Sequence, residues 1–199
     1  MPENPIDPPG FPAEIPEGET LPELHEVMVR CTRCDLFRSR TQVVPGAGSA
    51  RASILFVGEA PGASEDRQGI PFVGASGRLL DAMLESAGIS REEVFIANVV
   101  RCRPPENRNP RRIEIRACAG WLAEQVRIID PRRVATLGRF ALQHFIPGAR
   151  ITQVQGSIQE VGYGDRTISL YPLLHPAAIL RNPTLRAEYQ RQFQALANE

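Results

Sequence analysis

The stretch ILFVGEAPG, residues 54–62, is an unbroken apolar run that ends in a glycine-rich turn. Such a run predicts a central parallel strand, because both faces of that strand must be covered by other elements. Pro61 fixes a backbone angle, while Gly58 and Gly62 allow close approaches, so we expect a stiff turn after the strand. Open α/β sheets bind ligands at the carboxyl ends of their strands. Glu59 lies in this turn, either as a functional carboxylate or as a solvated residue of an ordinary strand-to-helix connection.

The rest of the chain alternates apolar runs with amphipathic stretches. Strands are predicted at residues 53–57, 94–100 and 133–137, with an edge hairpin formed by residues 151–162 and 167–171. Helices are expected between and after them, one of them beginning at Pro110 with Asn109 as its cap. Residues 64–74 are too polar and glycine-rich for a regular element. The alternation predicts an α/β fold in which helices cover both faces of a parallel sheet.

Length and charge indicate one globular domain with an acidic extension. The 199 residues suffice for a three-layer core. Residues 1–23 are predicted to be a disordered Pro-rich acidic tail, since residues 1–26 hold seven acids and no base, and residues 24–199 form the domain. From residue 27 onward, 23 arginines outnumber 16 acids, a balance that suits a polyanionic partner. The sequence shows no bilayer-spanning run and no signal peptide, so we expect a cytoplasmic protein.

The four cysteines form one arrangement. Two residues separate Cys31 from Cys34, whereas fifteen separate Cys102 from Cys118. Zinc knuckles usually pair two CxxC motifs, and this chain has one. Iron–sulfur clusters accept more varied ligand spacings. The spacing therefore leaves three alternatives: an iron–sulfur cluster, another metal, or unrelated buried thiols.

Three further side chains are candidates for a site. Asn98 interrupts a buried strand near its end, where an amide must find hydrogen bonds. His175 follows another strand and is expected at the same sheet edge, whereas His144 lies on an apolar helical face and is expected in the core. Phe72 lies in a polar loop, either exposed for stacking or plugging the core. The arginines between residues 101 and 116 form the densest basic run, and several are expected to contact phosphate.

Taken together, these stretches resemble the family 4 uracil-DNA glycosylases. The similarity spans about residues 25–197 and rests on short motifs in a fixed order, together with the cysteine frame. The motifs are GEAPG at residues 58–62, Glu65-Asp66, PFVG at residues 71–74, Asn98, and HPAA at residues 175–178. The resemblance implies a three-layer α/β/α sandwich with a central four-stranded parallel sheet, and a monomer that excises uracil from DNA.

The resemblance also implies roles for individual residues. Glu59 and His175 would be catalytic, with neutral His175 donating to the uracil O2 and Glu59 organising the pocket or the water. Related families place an acid at the position of Ala60; without one, stabilisation of the leaving group is expected to outweigh base catalysis. The implied substrate-binding residues are Ala60, Phe72, Asn98 and Asn107, and the implied DNA-binding residues, on a loop after His175, are Leu180 and Arg181. The cysteines implied to hold a [4Fe–4S] cluster are Cys31, Cys34, Cys102 and Cys118.

Three alternatives to this interpretation remain open. A non-catalytic iron–sulfur DNA-binding module would need the cysteines and arginines but would not need Glu59, Phe72, Asn98 and His175 to converge. A nucleotide-binding enzyme would use the turn at residues 58–62 for phosphate, but the chain lacks both GxGxxG and GxxxxGK[ST]. A glycosylase relative that traps uracil-DNA covalently would carry an added basic loop, which this sequence lacks.

Overall fold

A six-stranded sheet forms the centre of the molecule, whose computed structural model describes residues 19–198. The strands are β1 (Ala47–Gly48), β2 (Ile54–Gly58), β3 (Phe95–Asn98), β4 (Arg133–Leu137), β5 (Gln159–Tyr163) and β6 (Arg166–Leu173). The helices are α1 (Leu21–Met28), α2 (Ala63–Gln68), α3 (Ala75–Ser86), α4 (Arg112–Ile129), α5 (Arg139–Phe145), α6 (Ile151–Val154), α7 (Pro176–Arg181) and α8 (Arg186–Asn198). The strand order across the sheet is β1-β3-β2-β4-β6-β5.

The four central strands are parallel, which confirms the predicted fold class. Strands β3, β2, β4 and β6 pair in parallel, and the register sets Gly58 of β2 opposite Asn98 of β3. Two strands are added at the edges, where β1 pairs antiparallel with β3 and β5 pairs antiparallel with β6. Because the central strands all run the same way, the segments that follow β2, β3 and β6 lie at one edge of the sheet.

Helices cover both faces of the sheet. Leu55 and Val57 belong to one core cluster, packed with α1, α4 and α5, whereas Phe56 belongs to a second cluster with α3, α7 and α8. Successive side chains of a strand point to opposite faces, so a fully apolar strand needs both layers. Among the described residues, none of the helices is long and apolar enough to cross a membrane.

The structure corrects several sequence-based boundaries. Residues 64–68, part of the stretch 64–74 predicted to be irregular, belong to helix α2, because the Glu65 carboxylate accepts a hydrogen bond from the Gly62 N–H at the helix start. Helix α4 begins at Arg112 rather than Pro110, since Glu114 accepts from the Arg111 N–H at 2.6 Å. Residues 151–154 are helical instead of extended. The last three residues of the predicted tail, 21–23, are the first turn of α1, and residues 1–18 lie outside the described part of the chain.

Candidate active site

A cleft of about 230 Å³ opens at the carboxyl edge of the parallel strands. Asn98 ends β3, Ala60 follows β2, and His175 follows β6, so the strand topology brings them together. The residues that line the cleft are Ala60, Gly62, Glu65, Phe72, Gly74, Ala75, Ser76, Asn98 and His175. Four of the six residues predicted to be catalytic or substrate-binding thus share one cavity.

The amide of Asn98 reaches the cleft with an unused acceptor. Asn98 is 2% exposed, and its Oδ1 has no hydrogen-bond partner within residues 19–198. Gly58 makes room for it, because a Cβ on Gly58 would lie 2.4 Å from this Oδ1 and 2.6 Å from the Phe72 ring. An unpartnered buried oxygen destabilises the fold, so it indicates a ligand that carries a donor.

The ring of Phe72 is fixed by its backbone. Phe72 adopts a left-handed φ of 52°, is 6% exposed, and its ring centroid lies 5.8 Å from that of His175. Arg91 donates to the carbonyls of Pro71 (2.7 Å) and Phe72 (3.2 Å) and pairs with Asp81. Left-handed backbone costs a non-glycine residue energy, and these bonds offset that cost. Phe72 therefore presents a preorganised aromatic face to the cleft.

Glu65 ties the two sides of the cleft together. Its carboxylate accepts hydrogen bonds from the backbone N–H groups of Gly62 (3.1 Å), Val73 (2.9 Å) and Gly74 (2.8 Å). Gly62 and Gly74 directly precede helices α2 and α3, so one carboxylate caps the N-termini of both. This clamp sets the distance between the GEAPG turn and the Phe72 loop.

His175 is a neutral donor aimed from the start of α7. Its Nδ1 accepts a hydrogen bond from the Ala177 N–H at 3.1 Å, which places the single proton of the neutral ring on Nε2. Burial, aided by the charge of Arg181, lowers the pKa of His175 to about 4. Gly138 permits this position, because a Cβ there would lie 2.9 Å from the His175 Cβ. The imidazole is therefore uncharged at neutral pH.

Glu59 and Asn107 occupy different surroundings from the four lining residues. Glu59 is half-buried and directly precedes Ala60; burial raises the pKa of its carboxyl, and the charge of Arg139 opposes that rise. Asn107 is exposed, outside the residues that line the cleft, and its Oδ1 accepts from the Arg103 Nε at 2.8 Å. Neither Glu59, which adjoins the lining residue Ala60 in sequence, nor Asn107 is among the residues that line the cleft.

The segment after His175 is a short helix rather than the expected loop. Pro176–Arg181 forms α7, because Pro176 occupies its first position and His175 caps it. Leu180 is 46% exposed and Arg181 is also exposed. The end of α7 thus carries an exposed apolar side chain next to a positive charge.

A second cavity is lined by all four cysteines, which we term the cysteine site: Cys31, Cys34, Cys102 and Cys118. Arg40 donates to the Cys102 Sγ at 3.2 Å and to the Cys31 carbonyl at 2.7 Å. Burial raises the pKa of Cys34 to about 11 and that of Cys118 to about 12. The nearby Arg101 guanidinium, 1% exposed, opposes the rise at Cys118. Thiols with raised pKa values stay protonated at neutral pH, and binding of a metal would release their protons to solvent.

The side chains of the cysteine site differ from those of a preformed single-ion site. Across residues 19–198, no three His, Cys, Asp or Glu side chains are arranged to hold one metal ion. All four cysteine thiols line one cavity, and four thiolates are a ligand set that iron–sulfur clusters use. The two arginines supply positive charge beside ligands that would be anionic when metal-bound.

Several contributors to the cleft were missed by sequence analysis. Asp81 and Arg91 lie on either side of the end of α3 and carry no motif, so only the structure reveals their contact with the Phe72 loop. Glu65 belongs to the Glu65-Asp66 motif, to which the sequence assigned no role. Its position between Gly62 and Gly69 was the only sequence feature that pointed to its contacts with the turn. His144, predicted in the core, is 6% exposed and lies 3.1 Å from the Tyr163 hydroxyl.

Comparison with known proteins gives a consistent result. The family model of the uracil DNA glycosylase superfamily matches residues 45–198. A type-4 uracil-DNA glycosylase of Archaeoglobus fulgidus is 42% identical over 183 residues, covering 89% of this chain and 92% of that protein. One from Sulfurisphaera tokodaii is 42% identical, covering 89% of this chain and 84% of that protein. One from Thermotoga maritima is 43% identical, covering 82% of this chain and 85% of that protein.

Proposed function

The chain belongs to the uracil DNA glycosylase superfamily, and we propose that it excises uracil from DNA by hydrolysing the N-glycosidic bond and leaving an abasic site. The observation that carries the proposal is the convergence of the Asn98 amide and the neutral His175 ring on one cleft. Its volume of about 230 Å³ suits a single extruded base. Extrusion costs a few kcal/mol of stacking and pairing, which contacts inside the cleft must offset.

Recognition of uracil follows from the amide geometry. The unpartnered Asn98 Oδ1 accepts from the uracil N3–H, and its NH2 group donates to the uracil O4. Cytosine presents an acceptor at N3 and a donor at N4, so the same amide would face two mismatched contacts. Phe72 stacks on the base, with its ring already held by the backbone.

The chemical step requires stabilisation of a leaving anion. The bond between C1′ and N1 breaks with its electron pair moving onto the uracil, while water adds to the sugar and releases a proton. His175 Nε2–H donates to the uracil O2 as negative charge develops there. A neutral imidazole stabilises this charge through the hydrogen bond alone, without taking up a proton itself. Glu59, next to the lining residue Ala60, orients the water and balances the positive sugar, because Ala60 offers no second acid.

The proposal includes a [4Fe–4S] cluster held by Cys31, Cys34, Cys102 and Cys118. When bound, the cluster cross-links chain segments that lie far apart in sequence. Its support is the common cavity and the arginine N–H groups directed at sulfur. Iron and acid-labile sulfide analysis of anaerobically purified protein, which should be brown, is expected to give four of each per chain. Stoichiometric zinc in their place would overturn this assignment.

DNA contact is proposed on the rim of the cleft. Leu180 would fill the space left by the extruded base, and Arg181 would lie near a phosphate. Asn107 and its hydrogen-bond partner Arg103 would approach the DNA strand from the loop that follows β3. The four free thiols suit a reducing compartment, which supports a cytoplasmic location. We also propose that the protein acts on uracil-containing DNA as a monomer.

Incubation with a single-uracil oligonucleotide, followed by alkaline cleavage of abasic sites, tests the activity. We expect cleavage at the uracil and none in matched oligonucleotides that carry cytosine or thymine at that position. Binding without cleavage by cluster-loaded protein would favour the non-catalytic DNA-binding module. A product that stays attached to the protein in denaturing gels would favour the covalent trap.

A further inference from the structure

Between the cysteine site and the cleft lies a buried carboxylate without an assigned role. Asp66 is 3% exposed, and both of its oxygens accept from the Thr41 N–H, at 2.9 and 3.1 Å. A buried carboxylate is usually balanced by a cation or several donors. Within residues 19–198, the hydrogen bonds to the Asp66 carboxylate come from one backbone amide, that of Thr41, which lies 25 residues away in sequence. Such an arrangement points to a positional role, in which Asp66 fixes where that loop lies.

The loop that Asp66 holds is anchored at its other end on the cysteine site. Arg40 donates to the Cys102 Sγ at 3.2 Å and to the Cys31 carbonyl at 2.7 Å. Gln42 donates to the Arg67 carbonyl of α2 at 2.6 Å. Gly69 ends α2 directly against this amide, because a Cβ on Gly69 would lie 2.7 Å from the Gln42 Oε1. Residues 40–42 therefore join cysteine ligands to α2 through three consecutive side-chain or backbone contacts.

The same helix sets the shape of the cleft. Glu65, which precedes Asp66, accepts from the N–H groups of Gly62, Val73 and Gly74 at 2.8–3.1 Å. Gly62 and Gly74 line the cleft. A shift of α2 would move this carboxylate and loosen both sides of the cleft together.

We propose that Asp66 is a positioning residue that couples the cysteine site to the cleft through residues 40–42 and the Glu65 clamp. The inference rests on the proposed function, since it gives the metal-loaded cysteines a route to uracil binding. Loading of the cysteine site fixes Arg40, which fixes the Thr41 amide and with it α2. By reciprocity, loss of the Asp66 contact loosens the cysteine site as well as the cleft.

Asp66→Ala in the cluster-loaded protein tests this coupling by three measurements. These are the KM and kcat for a uracil oligonucleotide, the rate of cluster loss to EDTA followed by visible absorbance, and amide hydrogen exchange at Val73 and Gly74. Loss of a buried hydrogen bond to a charged group predicts changes of about tenfold in KM, in cluster loss and in exchange, with kcat changed less than about threefold. Asp66→Asn keeps an oxygen for the Thr41 amide and should recover most of each change.

Two further variants make the test specific. Gln42→Ala removes an exposed contact without threatening the fold, and it should move the same three readouts in the same direction by a smaller factor. Asp35→Ala is the control. It removes an acid that directly follows Cys34 and whose side chain is 85% exposed, and it should change none of the three readouts. The coupling is wrong if Asp66→Ala alters the cysteine site without the cleft, alters the cleft without the cysteine site, or lowers only the melting temperature. Wild-type protein that releases no uracil would refute the proposed function alone, because cluster loss and exchange would still decide the coupling.

Discussion

Replacing His175 by alanine is the most direct test of the proposed chemistry. The substitution removes the Nε2–H that the Ala177 amide fixes in place through Nδ1. Removal of one preorganised donor to a developing oxyanion typically lowers kcat by about 10²–10³, or about 3–4 kcal/mol of transition-state stabilisation. We expect a loss of this size in His175→Ala. DNA binding should change by less than about threefold, because the donor acts mainly on the leaving group.

The charge state of His175 gives a second, independent expectation. With a pKa of about 4, roughly one ring in a thousand is protonated at pH 7, so the working form is the neutral ring. The excision rate should therefore show no titration of His175 between pH 6 and 8. An unburied histidine would titrate near pH 6.5 and produce a visible limb in that range.

Single-turnover excision with excess protein over a uracil oligonucleotide measures both effects. His175→Gln is the matched variant, since its amide NH2 can donate from a similar distance, and it should recover part of the lost rate. Excision by His175→Ala within about threefold of wild type would refute the donor role, because the expected loss is far larger. An acidic limb near pH 6.5 that disappears in His175→Ala would show that the charged ring acts instead.

Three further expectations follow from the geometry. Gly58→Ala would place a Cβ 2.4 Å from the Asn98 Oδ1, so kcat/KM should fall at least about tenfold, whereas Gly162→Ala, whose Cβ meets nothing within 4 Å, should leave kcat/KM unchanged. Arg91→Ala removes two bonds to the Phe72 loop and should raise KM about tenfold; an unaltered KM would show that Phe72 holds its conformation without it. Burial lowers the pKa values of His25, His144 and His175 to about 4, so the unfolded state binds more protons and stability should fall as pH drops from 6.5 toward 4. Urea midpoints at pH 7.5 and 5 measure this loss in the free energy of unfolding, which should be about 2 kcal/mol for His144 and less for the more exposed His25 and His175. Equal midpoints at the two pH values would contradict the prediction.

The apolar runs and the strand-end motifs were predictable because they obey local rules. A strand covered on both faces must be apolar throughout, as Leu55, Phe56 and Val57 are. Parallel topology then guarantees that Asn98 and His175, which end or follow such strands, meet at one edge. Chain direction accounts for their common edge, and the turn and loop residues between them complete the cleft.

The remainder depends on contacts between distant residues. Helix α2 has a polar sequence, and its start depends on Glu65, whose carboxylate also binds amides eight and nine residues away. The Phe72 conformation depends on Arg91, and neither neighbouring sequence reveals the pair. Glu59 follows β2 directly, as the motif predicts, but the opposing charge on its carboxyl comes from Arg139 of α5, which no local pattern reveals.

The unpartnered oxygen of Asn98 shows where folding and function conflict. A buried acceptor without a partner costs about 1–3 kcal/mol, and a leucine or valine at the end of β3 would avoid that cost. The fold nevertheless leaves space for it by placing Gly58 opposite, at the end of β2, although glycine loses more backbone entropy on folding than any other residue. The unpartnered oxygen and the glycine opposite it both destabilise the fold, and their cost is offset only if a ligand supplies the missing hydrogen-bond donor. The uracil N3–H is such a donor, and its hydrogen bond to Asn98 would offset the cost of burying that oxygen.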